Sequence, residues 1–218
     1  MKIVLLGATG ATGVAFINYI QNHSKAGHEV TAIVRDPSKL EKYKSDSLKI
    51  VKADVFNSES LKPHFENQDI VVSGLGFRGK NEEFPRSMEQ ITKAMRDSKV
   101  DKIQIVGSQY NYEESRKNSW NESWILGFFV NYVIRKPLED HHRMVNFLKE
   151  KCQDIKWKYC AYPGLAEMEP TNKDFRVVEN TDVVPDRSGS RVSRGDAARY
   201  IIENLENYKQ GEVAIVYK

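Results

Sequence analysis

Apolar residues fall in short unbroken runs, separated by stretches in which they recur at helical spacing. KIVLLGA (2–8), EVTAIVR (29–35), LKIVKAD (48–54), DIVVSGL (69–75), KIQIVGS (102–108) and IKWKYCAYP (155–163) are too short for core helices and are apolar at successive positions. That pattern predicts strands covered on both faces. Thr12 to Asn22, Ser58 to Phe65 and Pro85 to Ser98 read as the crossover helices between them. From Pro137 to Lys151, Leu138, Met144, Phe147 and Leu148 lie near helical spacing behind a first-turn proline. The tail adds FRVVEN as a strand, PDRSGS as a turn, RGDAARYIIENLENY as a helix and EVAIVY as a last strand. Alternation of this kind predicts an α/β chain with a doubly wound, mainly parallel sheet of the Rossmann type. We expect a single domain over 1–218 with a small C-terminal extension on the substrate side. Residues 109–136 fit no element, and a loop this long inside a compact domain is usually functional.

The first run breaks at Gly7, and glycine recurs at Gly10 and Gly13 before the helix. A strand, then G-x-x-G-x-x-G, then a helix brings backbone amides and the positive helix end to one point, where a pyrophosphate can sit. Gly7, Thr9, Gly10, Ala11, Thr12 and Gly13 are therefore expected to hold a dinucleotide, although such glycines also serve packing. The second strand ends in Arg35, with Lys39 a turn later. Readers of an unphosphorylated ribose usually place a carboxylate there, whereas a 2'-phosphate calls for a cation. NADP(H) is the expected cofactor over NAD(H), with Asp36 still able to serve a ribose hydroxyl. Asp54 closes the third strand, either beside an adenine or as a turn residue, and Gly74, Leu75 and Gly76 close the fourth where the middle of a cofactor would pass.

Ser108 stands at the carboxyl end of the fifth strand, at the edge that should face the nicotinamide. Tyr132 and Lys136 match a Tyr-x-x-x-Lys pair, but Pro137 follows at once, so both should precede the helix instead of stacking on one face. One turn into that helix comes DHHRM, in which His141 is the candidate acid–base group and His142 the bystander; both could equally be residues of a polar face. The irregular stretch carries Trp120, Trp124, Phe128, Phe129 and Tyr132, which suit either a lid stacking on a flat substrate or a packing surface. Pro163, after the sixth strand, completes the expected substrate wall.

Composition narrows the partners. There are 33 basic and 30 acidic residues, a net +3 that is too mild and dispersed to argue for nucleic acid. The two cysteines, Cys152 and Cys160, have no metal-ligand spacing, no histidines have it either, and no metal is expected. No run approaches a membrane span and the first apolar run is too short for a signal core, so a cytoplasmic protein is expected. Nothing fixes its oligomeric state, and a monomer is the simpler expectation.

Taken in order, GATGATG, VRDPSKL, DVFNSESLKPHFENQDIVVSGLG, Ser108, DHHRM and RVSRGDAARYI resemble the atypical short-chain reductases that include NADPH-dependent flavin reductase, also called biliverdin-IXβ reductase. The resemblance covers most of the chain, and NmrA-like NAD(P)-binding proteins share its front half. It implies that Gly7 to Gly13, Arg35, Asp54 and Gly74 to Gly76 hold NADPH, while Ser108 and His141 line the pocket of a flat acceptor. It also implies hydride transfer to a flavin or linear tetrapyrrole, with flavin as substrate, a reaction asking the protein mainly to set two rings face to face. Two departures limit it: YPGLAE lacks a further histidine of that pattern, and the stretch after Ser108 is longer. The alternative is an NmrA-like sensor that binds NADP(H) and turns nothing over. A nucleotide-sugar epimerase would need the absent tyrosine–lysine pair and a larger substrate domain.

Overall fold

The structure, a computed structural model, describes residues 1–23, 27–76, 83–108, 135–179 and 191–218. In chain order the elements are β1 (Lys2–Leu6), α1 (Ala11–Asn22), β2 (Glu29–Val34), a 3-10 helix (Pro37–Tyr43), β3 (Leu48–Lys52), α2 (Ser58–Phe65), β4 (Ile70–Ser73), α3 (Glu83–Asp97) and β5 (Lys102–Ser108). Then come α4 (Arg135–Lys151), β6 (Lys156–Tyr162), β7 (Leu165–Ala166), β8 (Phe175–Glu179), β9 (Val192–Ser193), α5 (Arg194–Glu203) and β10 (Gly211–Tyr217). The eight-stranded sheet runs β3-β2-β1-β4-β5-β6-β10-β8. Every pairing in it is parallel except that of β10 with the edge strand β8.

Successive strand residues point to opposite faces, so each apolar run feeds two cores at once. Ile3 and Leu5 join Phe16, Ile17 and Ile20 of α1 and Tyr200 and Ile201 of α5 on one side. Val4 and Leu6 join Leu61 and Phe65 of α2, Met88, Ile91 and Met95 of α3, and Met144 and Leu148 of α4 on the other. Each of the fully buried Leu and Ile side chains contributes about 1.5–3 kcal/mol. In α3 the buried Phe84, Met88, Ile91 and Met95 follow the i, i+4, i+7, i+11 stripe of an amphipathic helix. Pro85 and Pro137 each occupy the third position of their helices, where the missing N–H breaks no intrahelical bond.

Two expectations need correcting. The irregular stretch does not reach Lys136, because α4 already begins at Arg135. The tail is more than an appendage: β10 pairs with β6, β8 pairs with β10, and α5 packs on α1, so only the short β7–β9 pair stands off the main sheet. Sequence periodicity gives each tail element its type but not its neighbour in space. Among the described residues, no helix is long and apolar enough to cross a membrane.

Candidate functional site

The site lies where the strand order reverses. From β1 the chain winds outward through β2 and β3, then returns so that β4 lies on the other side of β1. Helices leaving β1 and β4 on opposite faces open a crevice at the carboxyl ends of these strands. Its floor is the contact between the turn after β1 and the end of β4. Gly7 has φ +74°, and a methyl group on it would fall 2.6 Å from the Gly74 carbonyl, so only glycine allows this approach. A methyl group on Gly13 would overlap the Gly7 carbonyl oxygen, so this glycine lets α1 sit on the turn. Gly10 is different. It is the exposed N-cap of α1 in an extended conformation, no side chain caps the helix, and its first turn holds no acidic residue. Among the described residues the positive end of α1 is therefore uncompensated, and it faces the crevice, open to an anion.

Two cavities fill the crevice. One, of about 190 Å³, is lined by Gly7, Thr9, Gly10, Ile33, Val34, Arg35, Ala53, Val55, Phe56 and Gly74 to Gly76. The other, of about 260 Å³, is lined by Thr12, the same Gly74 to Gly76, Val106, Gly107, His141, Tyr162, Gly164 and Leu165. Since both share Gly74, Leu75 and Gly76, they form one trough from Arg35 at one end to His141 at the other. A larger groove of about 960 Å³ lies between α1, α5 and residues 166–172 and meets the trough at Thr9, while Ala11 lines the groove and not the trough. It contains neither Arg35 nor His141, the two candidates that the smaller pair brings together.

At the first end, Arg35 is exposed and has no ion-pair partner among the described residues. Asp36 is engaged elsewhere. Its Oδ1 accepts from the Ser38 hydroxyl at 2.7 Å and the Ser38 amide at 3.1 Å, which caps the 3-10 helix and lowers its pKa. Lys39 lies within that 3-10 helix and does not line the trough. Asp54 is held in a turn, its Oδ1 accepting from the Phe56 amide at 3.0 Å, and the residues that reach the cavity are Ala53, Val55 and Phe56. Arg86, from the first turn of α3, lies over the Phe56 ring with its guanidinium 5.7 Å from the centroid.

At the other end, His141 is fixed from two sides. Its ring centroid is 4.0 Å from that of Phe84, and its Nδ1 is 3.2 Å from the Tyr159 hydroxyl. Burial lowers its pKa to about 4, so the imidazole is neutral near pH 7. The preceding Asp140, only 4% exposed, accepts the Phe84 amide at 3.0 Å and thereby ties the start of α3 to α4. That amide is one of the four a helix N-terminus leaves unpaired, and the carboxylate also complements the helix dipole. Of the adjacent histidines, His141 lines the trough and His142 is exposed.

Ser108 ends β5 opposite Tyr162 of β6; its side chain lies outside the described residues. Trp120, Trp124, Phe128, Phe129 and Tyr132 also lie outside them, while Lys136 is the second residue of α4. Pro163 is half-buried between Tyr162 and Gly164, which line the trough where it does not. Sequence reasoning missed Tyr159, Gly107 and Phe84. Alternation along WKYCAY places Tyr159 on the α4 face with Trp157 and Ala161, but only the β5–β6 register brings its ring over Gly107.

This is a doubly wound α/β architecture with a glycine turn at its switch point. The chain belongs to the NAD(P)H-binding family, whose profile matches residues 7–208. It is 32% identical over 110 residues to the uncharacterized protein YwnB of Bacillus subtilis, a match that covers 49% of this chain and about half, 47%, of that protein. Its fold is shared by ChuY, an anaerobillin reductase from Escherichia coli O157:H7, with TM-score 0.74, 13% identity, and coverage of 100% of this chain and 97% of that one. SP1627 from Streptococcus pneumoniae TIGR4, provisionally named an NADH-flavin reductase, gives TM-score 0.71 and 19% identity over the whole of both chains. At these identities the two structures establish the fold alone.

The trough fits a nicotinamide dinucleotide. Glycine backbone floors it, the free positive end of α1 suits a pyrophosphate, Arg35 suits a further anion, and the far recess has uncharged walls.

Proposed function

We propose that the protein is an NADPH-dependent reductase that passes a hydride to a flat conjugated acceptor, a flavin or a linear tetrapyrrole. The observation that carries this reading is the trough with an arginine at one end that has no ion-pair partner among the described residues, and a neutral, largely buried histidine at the other. Arg35 and the first-turn amides of α1 would hold the phosphates, Arg35 taking a 2'-phosphate through its planar donor fork. The capping role of Asp36 occupies one carboxylate oxygen, Oδ1, and so weakens it as an acceptor for an unphosphorylated ribose. Bound NADPH would supply the hydride.

Around the acceptor the protein orients and shields. Gly164 leaves room for a planar ring, Tyr162 and Leu165 wall it, and His141 presents a neutral imidazole. Flavins and bilins suit such a recess because their reduced forms can take a proton from water, so no strong protein acid is required. The family membership supports the cofactor class, and the reductase names of ChuY and SP1627 support the reaction class by analogy of fold. The test is NADPH oxidation by the purified protein with and without flavin mononucleotide or biliverdin, with NADH in parallel. Acceptor-dependent turnover that prefers NADPH is expected. Tight NADPH binding without turnover would instead favour the cofactor sensor of the NmrA-like kind.

A further inference from the structure

Tyr159 has no place in the reading above, yet its hydroxyl lies within hydrogen-bond distance of His141. Three observations meet at its hydroxyl. First, that hydroxyl lies 3.2 Å from His141 Nδ1, with the rings at 67° and their centroids 6.2 Å apart. Second, its ring lies so directly over Gly107 that any side chain at 107 would overlap the hydroxyl and the adjoining ring carbons. The absence of a side chain there is what lets the phenol reach the histidine. Third, Phe84 covers one face of the imidazole at 4.0 Å, which limits its rotation.

We infer that Tyr159 is a positioning residue that fixes His141 as the Nε2–H tautomer and so turns its imidazole into a hydrogen-bond donor toward the acceptor. The inference rests on the reductase reading of the same trough. Between a neutral phenol and a neutral imidazole, the phenol is the better donor and the unprotonated ring nitrogen the better acceptor, so O–H donates to Nδ1. The ring proton then resides on Nε2, the nitrogen left for the cavity that His141 lines. Burial supports the same state by disfavouring the doubly protonated ring, whose Nδ1–H would face the hydroxyl.

The chemical consequence is a donor aimed at charge that builds up during the reaction. Hydride transfer brings two electrons and one hydrogen to the acceptor and leaves negative charge on its conjugated oxygen or nitrogen. The Nε2–H group stabilises that charge by hydrogen bonding and keeps its proton, while the balancing proton comes from water. A neutral donor suits this task, since its strength does not change across the pH range in which the neutral ring persists.

The test is the tautomer itself, read from long-range 1H–15N correlation spectra of the 15N-labelled protein at neutral pH, beside steady-state kinetics with NADPH and flavin mononucleotide. In the wild type, His141 should carry its proton on Nε2 alone. In Tyr159→Phe, which keeps the ring and removes the hydroxyl, a second tautomer should appear and kcat should fall about tenfold with the KM for NADPH unchanged. In a His141→Ala background the same Tyr159→Phe change should alter kcat less than about twofold, as expected of a hydroxyl that acts on the reaction through His141. A wild-type His141 protonated on Nδ1, an unchanged tautomer in Tyr159→Phe, or a full kcat loss persisting without His141 each overturns the inference. No turnover from a wild type with the Nε2–H tautomer overturns the reductase reading instead, so the two failures are told apart by spectrum and rate.

Discussion

Gly7 and Gly74 meet backbone to backbone: a methyl group on Gly7 would fall 2.6 Å from the carbonyl carbon of Gly74, and Gly7 sits at φ +74°. Gly7→Ala would therefore meet a steric clash and a left-handed backbone together, at a cost of about 2–4 kcal/mol. Gly10 has φ −76°, and a methyl group on it would approach only the Gly7 carbonyl oxygen, at 3.3 Å. The two glycines should separate cleanly in one experiment. In urea unfolding, Gly7→Ala shifts the midpoint down and Gly10→Ala leaves it nearly unchanged. In an NADPH fluorescence titration, Gly10→Ala weakens binding about tenfold, because its methyl intrudes where a pyrophosphate must approach the α1 amides. Unchanged affinity in Gly10→Ala would mean that the turn is built for packing alone.

In the proposed reading, Arg35 sets which dinucleotide binds. It is an exposed cation lining the trough just after β2, and Ser38 engages one oxygen of the neighbouring Asp36. Charge-assisted hydrogen bonds to a phosphate contribute about 2 kcal/mol, so Arg35→Ser should raise the NADPH dissociation constant roughly 30-fold. NADH binding, which lacks the 2'-phosphate, should change less than about threefold by the same arithmetic. Isothermal titration with both cofactors measures the ratio, and equal losses would show that Arg35 does not read the phosphate.

Much of this was legible from residue order, and the gaps have physical causes. A parallel sheet writes itself as unbroken apolar runs, so β1 to β6 could be read from KIVLL to KWKYCAY. The glycine turn was legible because Gly7 and Gly13 are demanded by sterics at fixed offsets from a strand and a helix. Arg35 was legible because a strand end has a defined place in the crevice. The Tyr159–His141 contact was not, since it depends on the register of β5 against β6 and on the placement of α4, which no local pattern encodes. Asp54 shows the opposite limit: its position suited an adenine, but a local hydrogen bond to the Phe56 amide claims one carboxylate oxygen.

His141 should leave a mark on the acid side of the stability curve. Burial lowers its pKa from 6.5 to about 4 in the folded protein. Between those values the unfolded chain binds more protons, so stability rises with pH through this window. The contribution is complete above pH 6.5 and is lost as pH falls toward about 4, amounting to about 3 kcal/mol in all. Urea melts across this range should show a shallower slope for His141→Gln than for the wild type. Activity should carry no inflection from this group between about pH 5.5 and 8, because the ring is already neutral there. An inflection near 6.5 that vanishes in His141→Gln would place the ring in water.

A second carboxylate knot holds the far side of the molecule. Asp196, fully buried in the first turn of α5, accepts from the Thr171 amide at 2.8 Å, the Thr171 hydroxyl at 2.9 Å, the Ser193 hydroxyl at 2.9 Å and the Tyr217 hydroxyl at 2.7 Å. Its Oδ1 accepts from the Asn172 amide at 3.2 Å and lies 3.5 Å from Arg199 Nε. Burial pushes its pKa up, but these donors outweigh burial and bring it down to about 2. The sign follows from a folded value below the unfolded 3.8: the stabilisation is present above pH 3.8 and is lost as pH falls through about 2. Asp196→Ala leaves these buried donors without their acceptor, which should cost about 3–5 kcal/mol at neutral pH. Amide hydrogen exchange should then show residues 171–173 losing protection first, while the β1–β4 pair beneath the trough keeps it. Uniform loss of protection across the sheet would mean that Asp196 supports the whole fold and not this corner of it.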